Sequence, residues 1–315
     1  MIESGDPMNS MIYKKKSPLF FFLIPAFLFL ILYLYYPFLQ NIANTFMQIG
    51  GLGRAPEGVN TPWYENYQRM LVDPNLRVAF KNTLILMLCT VVFQVGIALI
   101  LALLVDSIKV GAQVFRTIYF FPIVISATAL GLMFNLIFLY RGGMVNQILL
   151  ALGQLPSKTM PNGKVIVEWL DWKDQAHFMV TMLTPVMWQY VGFYFVILVT
   201  GLNNIPEDLY EAASLDGASG LKRVRYITLP LLRNVLCTCL VLAITGALKV
   251  FDLPWVMFGA GMPNNQGWLT GTYMYDQTFN KMNVDYGSAI AVLIVVLGVV
   301  LSNVANRLFR PSEDI

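Results

Sequence analysis

Two sets of residues in this chain are of types that could do chemistry. The first is three cysteines and one histidine. Cys237 and Cys239 stand at a spacing that metal-binding thiols use, but residues two apart on a helix project in different directions, and no His/Cys/carboxylate cluster accompanies them. No metal site is expected there. With Cys89 the thiols make an odd count, all inside apolar runs, which argues against a disulfide framework. His177 sits at the mouth of an apolar run and reads as an interfacial residue. The second set consists of polar and aromatic residues within or at the ends of apolar runs: Trp188, Gln189 and Tyr194, then Lys249, Phe251 and Asp252. Rings beside amide and charged groups recognise a ligand without covalent chemistry, and an ionisable residue at membrane depth is a functional hypothesis by default. Placed i, i+3 on one helix, Lys249 and Asp252 would neutralise one another. The sequence has no Gly-x-x-x-x-Gly-Lys-[Ser/Thr] to cradle ATP phosphates, no Gly-x-Ser-x-Gly and no His-Glu-x-x-His. The expected chemistry is recognition, not catalysis, and no cofactor is expected in this chain.

The elements that must position these residues are membrane helices. Of the 315 residues 57% are hydrophobic and only 12% charged, about half the charge of a soluble chain, and the net charge of +3 is too small and scattered for nucleic acid. Charges fence off segments of about 20 apolar residues, the length of one crossing at 1.5 Å rise each. These are 19–39, 82–105, 117–140, 178–202, 227–251 and 286–306. The fifth contains Arg233 and Lys249, each near an end where a long basic side chain can snorkel to the interface. The fold class is therefore all-α, a polytopic membrane protein with about six transmembrane helices. Its transmembrane domain spans 19–308 between tails at 1–18 and 309–315. Lys14-Lys15-Lys16 precedes an apolar run too long for a signal peptide, so the first span reads as an anchor. The four segments 1–18, 106–116, 203–226 and 307–315 hold ten Lys/Arg in 62 residues; the three intervening loops hold nine in 112. By the positive-inside rule both termini are expected in the cytoplasm. In the loop before the second span, aromatic and aliphatic residues at helical spacing (Tyr67, Met70, Leu71, Leu76, Phe80) predict short helices broken at Asp73-Pro74.

The inner loop 203–226 carries signals that a merely solvated loop does not need. Pro206 suits a first helical position, with Asn204 or Ile205 before it as cap, and Glu207 and Asp208 oppose the positive end of the helix dipole. Leu209, Ala212 and Ala213 fall on one face, where small side chains let another surface approach. Asp216-Gly217 then breaks the helix, since glycine takes the left-handed conformation at little cost. Lys222, Arg223 and Arg225 follow at headgroup level. The pattern predicts a short helix, a sharp bend and a second short helix.

Glu211-Ala212-Ala213-x-x-Asp216-Gly217-Ala218, followed by Ile227-Thr228-Leu229-Pro230, resembles the cytoplasmic signature loop of ABC-importer permeases, the subfamily that includes the maltose transporter. The resemblance runs along nearly the whole chain: Phe21–Pro37 in the first span, Asn66-Tyr67, Asp73-Pro74 and Asn82-Thr83 before the second, Phe115-Arg116-Thr117 with Phe121-Pro122 in the third, and Trp188 with Gly192-Phe193 in the fourth. After the fifth, Phe251-Asp252 through Gly259-Ala260-Gly261-Met262-Pro263 is similar to the family's Phe-Asp and Gly-Gly-Pro stretch, altered at Ala260 and Met262. The resemblance implies that the loop is a coupling helix seated in a groove of an ATPase, with Glu211, Ala212, Ala213, Asp216 and Gly217 as docking residues. ATP and Mg would be held by that separate ATPase dimer.

Length and pattern resemble the carbohydrate branch, in which two permeases pair as a heterodimer in a bacterial or archaeal plasma membrane and receive a sugar from an external solute-binding protein. This chain resembles the longer partner without an added periplasmic domain. Sugars present hydroxyls and flat C–H faces, which the rings and polar groups of the second set would suit. Glycerol phosphate and a polyamine are alternative solutes within the same class. An ion-coupled secondary transporter would show internal repeats and intramembrane carboxylates, and a membrane enzyme a catalytic constellation; the sequence shows neither.

Overall fold

The structure is a computed structural model describing residues 17–108, 111–159, 165–259 and 263–309. The 1–18 and 309–315 tails, apart from their innermost residues, and Ala260 and Met262 therefore lie outside the described residues. Among the described residues the chain is all-α apart from two small antiparallel hairpins, β1 (Met47–Gln48) with β2 (Gly58–Val59) and β3 (Ser157–Thr159) with β4 (Val165–Val167). Among the described residues five helical stretches are long and apolar enough to cross a membrane, or six when a bent pair is counted as one span.

The first crossing joins α1 (Ser17–Leu30) through a π turn to α2 (Tyr36–Asn44). Residues 20–40 are all exposed within this chain, and only α2 packs, against the last helix. The second crossing is one continuous helix, Pro74–Asp106, which begins eight residues earlier than the charge fence at 82 suggests. At 33 residues it measures about 50 Å, longer than a bilayer core, so its first turns with Arg77 and Lys81 project beyond the apolar slab. Asp73 starts it: Oδ1 accepts from the N–H groups of Asn75 and Leu76, and Pro74 takes the first helical position. Asp73-Pro74 thus divides α3 (Glu65–Val72) from α4 (Pro74–Cys89), as the sequence predicts, although the second element is the crossing itself. A π turn over Thr90–Gln94 joins α4 to α5 (Val95–Asp106).

The third crossing corrects the sequence reading of 117–140 as a single span. It is two helices, α6 (Ala112–Val124) and α7 (Ala127–Ile137), meeting at 94°. Ser126 breaks it by adopting extended backbone and capping α7, its Oγ accepting from Ala129 N–H. Pro122 leaves the preceding turn short of one donor. After α8 (Met144–Ala151), the central helix α9 (Phe178–Asn203) matches the expected fourth span to within a residue. The fifth crossing runs 233–258 instead of 227–251. Residues 221–231 form a jointed approach, α11 (Leu221–Arg223), a π turn and α12 (Leu229–Leu231); then come α13 (Arg233–Leu248), a break at Lys249–Phe251, and α14 (Asp252–Phe258). The short helix α15 (Thr270–Tyr275) leads to the sixth crossing, α16 (Val284–Phe309).

Helix α9 organises the core. Phe195, Leu198, Val199 and Leu202 pack on Val95, Ala98, Ala102 and Val105 of α5, with Cys239 and Ala243 of α13 closing the cluster. Cys237 instead faces α16, its Sγ 3.4 Å from Asn306 Oδ1, so the two thiols do point apart. At Gly192 the α6 backbone comes so close that any β-carbon would collide with the Tyr119 carbonyl. A second cluster joins α4, α7, α9 and α14 through Leu86, Leu130, Met182 and Leu253, and a third joins α4, α15 and α16 through Leu76, Tyr273 and Tyr286.

Candidate functional site

The loop after α9 forms the predicted helix, α10 (Glu207–Leu215). Pro206 is its N-cap residue instead of its first helical one, and Glu207 and Asp208 occupy the first turn. Its end is a Schellman closure: Gly217 stands at φ +75°, its N–H donates to Ser214 O at 3.1 Å, and Ala218 N–H to Ala213 O at 2.8 Å. A β-carbon at Gly217 would meet nothing within 4 Å, so the glycine is required by backbone conformation alone. The two faces of α10 differ. Ala213 is turned inward at 6% exposure, and Tyr210 packs under the Arg223 guanidinium, 5.0 Å from its ring centroid, with its hydroxyl 3.4 Å from Thr228 Oγ1. Glu211, Ala212, Asp216, Leu209 and Leu215 face outward, Leu215 at 90% exposure. Leu209 and Ala213 therefore do not share the outward face.

Further toward the other end, one cavity of about 320 Å³ lies among the second crossing, α9, α13 and the start of α14. It brings together Gln189, Tyr194, Lys249, Phe251 and Asp252, five of the six residues singled out from the sequence. Trp188 is not among its lining; it stands edge-on to Phe134, 5.9 Å between centroids, on a different face of α9. Gln189 also has a local task, since its Nε2 donates to Ile125 O at 3.3 Å, a carbonyl at the 94° bend. Lys249 and Asp252 do not pair with one another: among the described residues the ion pairs are His177–Asp174 and Lys281–Asp276. The helix ends at Lys249 and restarts after Phe251, whose φ of −140° takes Asp252 off the i, i+3 position that a continuous helix would give it. Both charged side chains stay exposed.

Sequence reasoning missed Thr90, Gln94, Tyr190 and Phe193 in this lining. Thr90 and Gln94 bound the π turn, which re-aims side chains by one extra residue per turn. Gln94 Nε2 donates to Val186 O at 3.0 Å, tying the second crossing to α9 just past Pro185. The signal was present, since Gln94 is the one glutamine in the apolar run 82–105. Beyond the cavity, His177 Nδ1 lies 2.8 Å from Asp174 Oδ1 and its ring stands edge-on to Trp172. Lys173 Nζ donates to Met257 O at 3.0 Å near the end of α14; burial pushes its ammonium below the usual range, against the pull of Asp171.

The described residues thus form a bundle of apolar crossings with a largely apolar cavity that carries a few polar groups, and an outward-facing loop helix. Residues 94–314 match the family described as binding-protein-dependent transport system inner membrane component. The chain belongs to this family and is a multi-pass, membrane-spanning permease subunit. It is 28% identical to the arabinooligosaccharides transport system permease protein AraP of Bacillus subtilis, across 95% of this chain and 91% of that one. It is 31% identical to the osmoprotective compounds uptake permease protein GgtC of Synechocystis, across 93% and 99%. Its fold superposes with a TM-score of 0.78, at 19% identity and covering 94% of this chain and 95% of the other, on a chain of the bacterial alginate ABC transporter crystallised with its alginate pentasaccharide-bound periplasmic protein.

Proposed function

We propose that this permease is one half of the path by which an ATP-driven importer carries a sugar or oligosaccharide across the membrane. A second permease completes the path, an external binding protein delivers the sugar, and a separate cytoplasmic ATPase dimer holds ATP and Mg. The outward face of α10 (Glu211, Ala212 and Asp216, with the bend fixed by Gly217) docks on that ATPase, both termini being cytoplasmic. Ala213 serves the docking helix from below, by seating it on its own chain. The observation that carries the sugar reading is the cavity, where the rings of Phe251, Tyr190 and Tyr194 stand beside the amides of Gln94 and Gln189 and the charges of Lys249 and Asp252.

The test is transport by the complex reconstituted in proteoliposomes. Phe251→Ala and Asp252→Ala should raise the half-saturating sugar concentration or change sugar preference while the complex stays assembled. Unchanged transport in both removes them from the path. Orientation is checked by single cysteines: at Glu65 and Asn264 they should react with an impermeant thiol reagent from outside, and at Lys222 they should not. Labelling of Lys222 from outside would overturn the docking assignment.

A further inference from the structure

Four crossings depart from a regular hydrogen-bond ladder at the walls of one cavity. The second does so in the π turn Thr90–Gln94, and the third in the 94° bend at Ile125-Ser126. The fourth carries Pro185, which removes one N–H from its ladder, and the fifth breaks at Lys249–Phe251. Each departure has a residue in or beside it that lines the cavity: Gln94, Ala127, Val186 and Phe251.

Two glutamines tie these departures together. Gln189 is 6% exposed and Gln94 2%. Gln189 Nε2 donates to Ile125 O at 3.3 Å, and Gln94 Nε2 donates to Val186 O at 3.0 Å and Met187 O at 3.4 Å. A carbonyl accepts only from the NH2 end of an amide, so these partners fix the orientation of both side chains. The two ties are unequal. Val186 and Met187 lie inside α9, where the helical ladder already serves their carbonyls. Ile125 lies between two helices, and among the described residues no other donor reaches its carbonyl. The opposite ends of the amides open on the cavity. Among the described residues no donor reaches either Oε1, and neither is one of the polar atoms sealed in without a partner.

We infer that Gln189, seconded by Gln94, is a positioning residue that latches the bend of the third crossing and releases it when the cavity fills. The inference rests on the reading of the cavity as the path of a sugar. A hydroxyl both donates and accepts, so adjacent hydroxyls pair with both ends of an amide. At Gln189 that pairing draws Nε2 away from Ile125 O. The bend then loses the donor to its one unpaired carbonyl, a costly loss where no water replaces it, and the crossing moves to an arrangement that satisfies the group otherwise. A solute shifts such an equilibrium only through contacts it makes better in one state than in the other. An amide that serves either the bend or the sugar is a contact of that kind. Gln94 commits its amide hydrogens to α9 and is the weaker catch, placed at a π turn where a helix can change register.

The test uses the complete importer, reconstituted with its binding protein, in the absence and presence of arabinotriose, maltotriose or xylotriose. Gln189→Met removes the donor and keeps the length of the side chain. Its rate of ATP hydrolysis without sugar should rise about three- to tenfold, the effect of one interhelical hydrogen bond, at unchanged complex yield. Stimulation by a transported sugar should shrink by the same factor, and Gln94→Met should show a smaller change in the same direction. Amide hydrogen exchange read by mass spectrometry should quicken over residues 124–130 in the sugar-free variant, and a transported sugar should quicken the same residues in wild type. An unchanged sugar-free rate overturns the latch, whatever happens to the half-saturating sugar concentration, and makes Gln189 a plain solute contact. A joint fall of the sugar-free and stimulated rates overturns it too, since that is the mark of a damaged fold. The sugar-free measurements judge the latch by themselves, so failure of wild type to transport any of the three sugars falls on the sugar reading and not on the latch.

Discussion

The two ends of the molecule are built on opposite plans. At the end away from α10, polar side chains are spent on the chain itself. Asp73 Oδ2 accepts from the hydroxyls of Tyr273 and Tyr286, at 2.6 and 2.7 Å. Asn82 donates to Gln266 O and Trp268 O, and Thr83 Oγ1 accepts from Thr270 N–H, binding the second crossing to the segment before α15. Asn66 reaches Thr45 O and Asp285, and Arg69 lies over the Tyr286 ring. At the α10 end the internal ties are few, essentially Tyr210, Ala213 and the glycine closure, and the side chains of Glu211, Asp216 and Leu215 face outward. A surface tied together by such internal hydrogen bonds is a rigid platform, whereas one that leaves Leu215 exposed gains most when something covers it.

That contrast is broken most severely at α10. Gly217→Val forces a β-carbon into left-handed geometry at a cost of about 1–2 kcal/mol, in open space, so the damage is to the angle of the bend and not to packing. Glu211→Lys leaves the backbone alone and reverses an exposed charge. Both variants should insert and assemble with the second permease, yet lose most or all uptake, with the ATPase dissociating readily or hydrolysing without transport. Full uptake by both at normal expression would mean that this end is not where the ATPase docks.

At the other end the largest effect should fall on stability. Asp73→Ala removes the cap of α4 and strands two tyrosine hydroxyls, which is worth about 2–4 kcal/mol from one lost cap and two groups without acceptors. Thermal unfolding of the purified protein in detergent reads this directly. A loss under half a kcal/mol would show that the platform does not depend on Asp73.

Much of this plan was legible in the sequence, for identifiable reasons. Charge fences located the crossings because membrane helices must exclude charge over a fixed length, and the Asp73-Pro74 break and the Gly217 bend were legible because backbone rules fix them locally. The bend at Ile125-Ser126 was missed because the apolar run continues unbroken through it. The inward turn of Ala213 was also missed, since periodicity gives faces without saying which one a partner takes. Five cavity residues were found as polar or aromatic side chains within or at the ends of apolar runs. Thr90 was not, because its placement depends on a π turn that leaves no composition signal, and Gln94, the one glutamine in its apolar run, was passed over although its polarity marked it.

A smaller effect separates the two faces of α10. Covering Leu215, which is 90% exposed, is worth about 1–2 kcal/mol to a docked complex, allowing for incomplete burial. Leu215→Ser should therefore weaken ATPase association by roughly tenfold in a titration of detergent-solubilised permease, with unfolding temperature unchanged. Ala213→Ser should do the reverse, lowering the unfolding temperature slightly and leaving association nearly intact.

The smallest expected effect is a pH dependence confined to the platform. Burial raises the Asp73 carboxyl, but the hydroxyls of Tyr273 and Tyr286 and the N–H groups of Leu76 and Asn75 outweigh it and hold the carboxyl below its ordinary 3.8. A carboxylate lowered in the folded state binds its proton more readily when unfolded. Its contribution is therefore complete above pH 3.8, and is lost as pH falls from there through the lower folded value. Other carboxylates titrate in the same range, so the informative quantity is a difference between proteins. The unfolding temperature of wild type should fall more steeply than that of Asp73→Asn as pH drops below 4, the two curves running parallel above pH 5. The asparagine side-chain oxygen still accepts from the tyrosines, but it has no charge to lose. Parallel curves through the whole range would mean that the charge on Asp73 adds nothing to its hydrogen bonds, and that neutral contacts alone hold this end together.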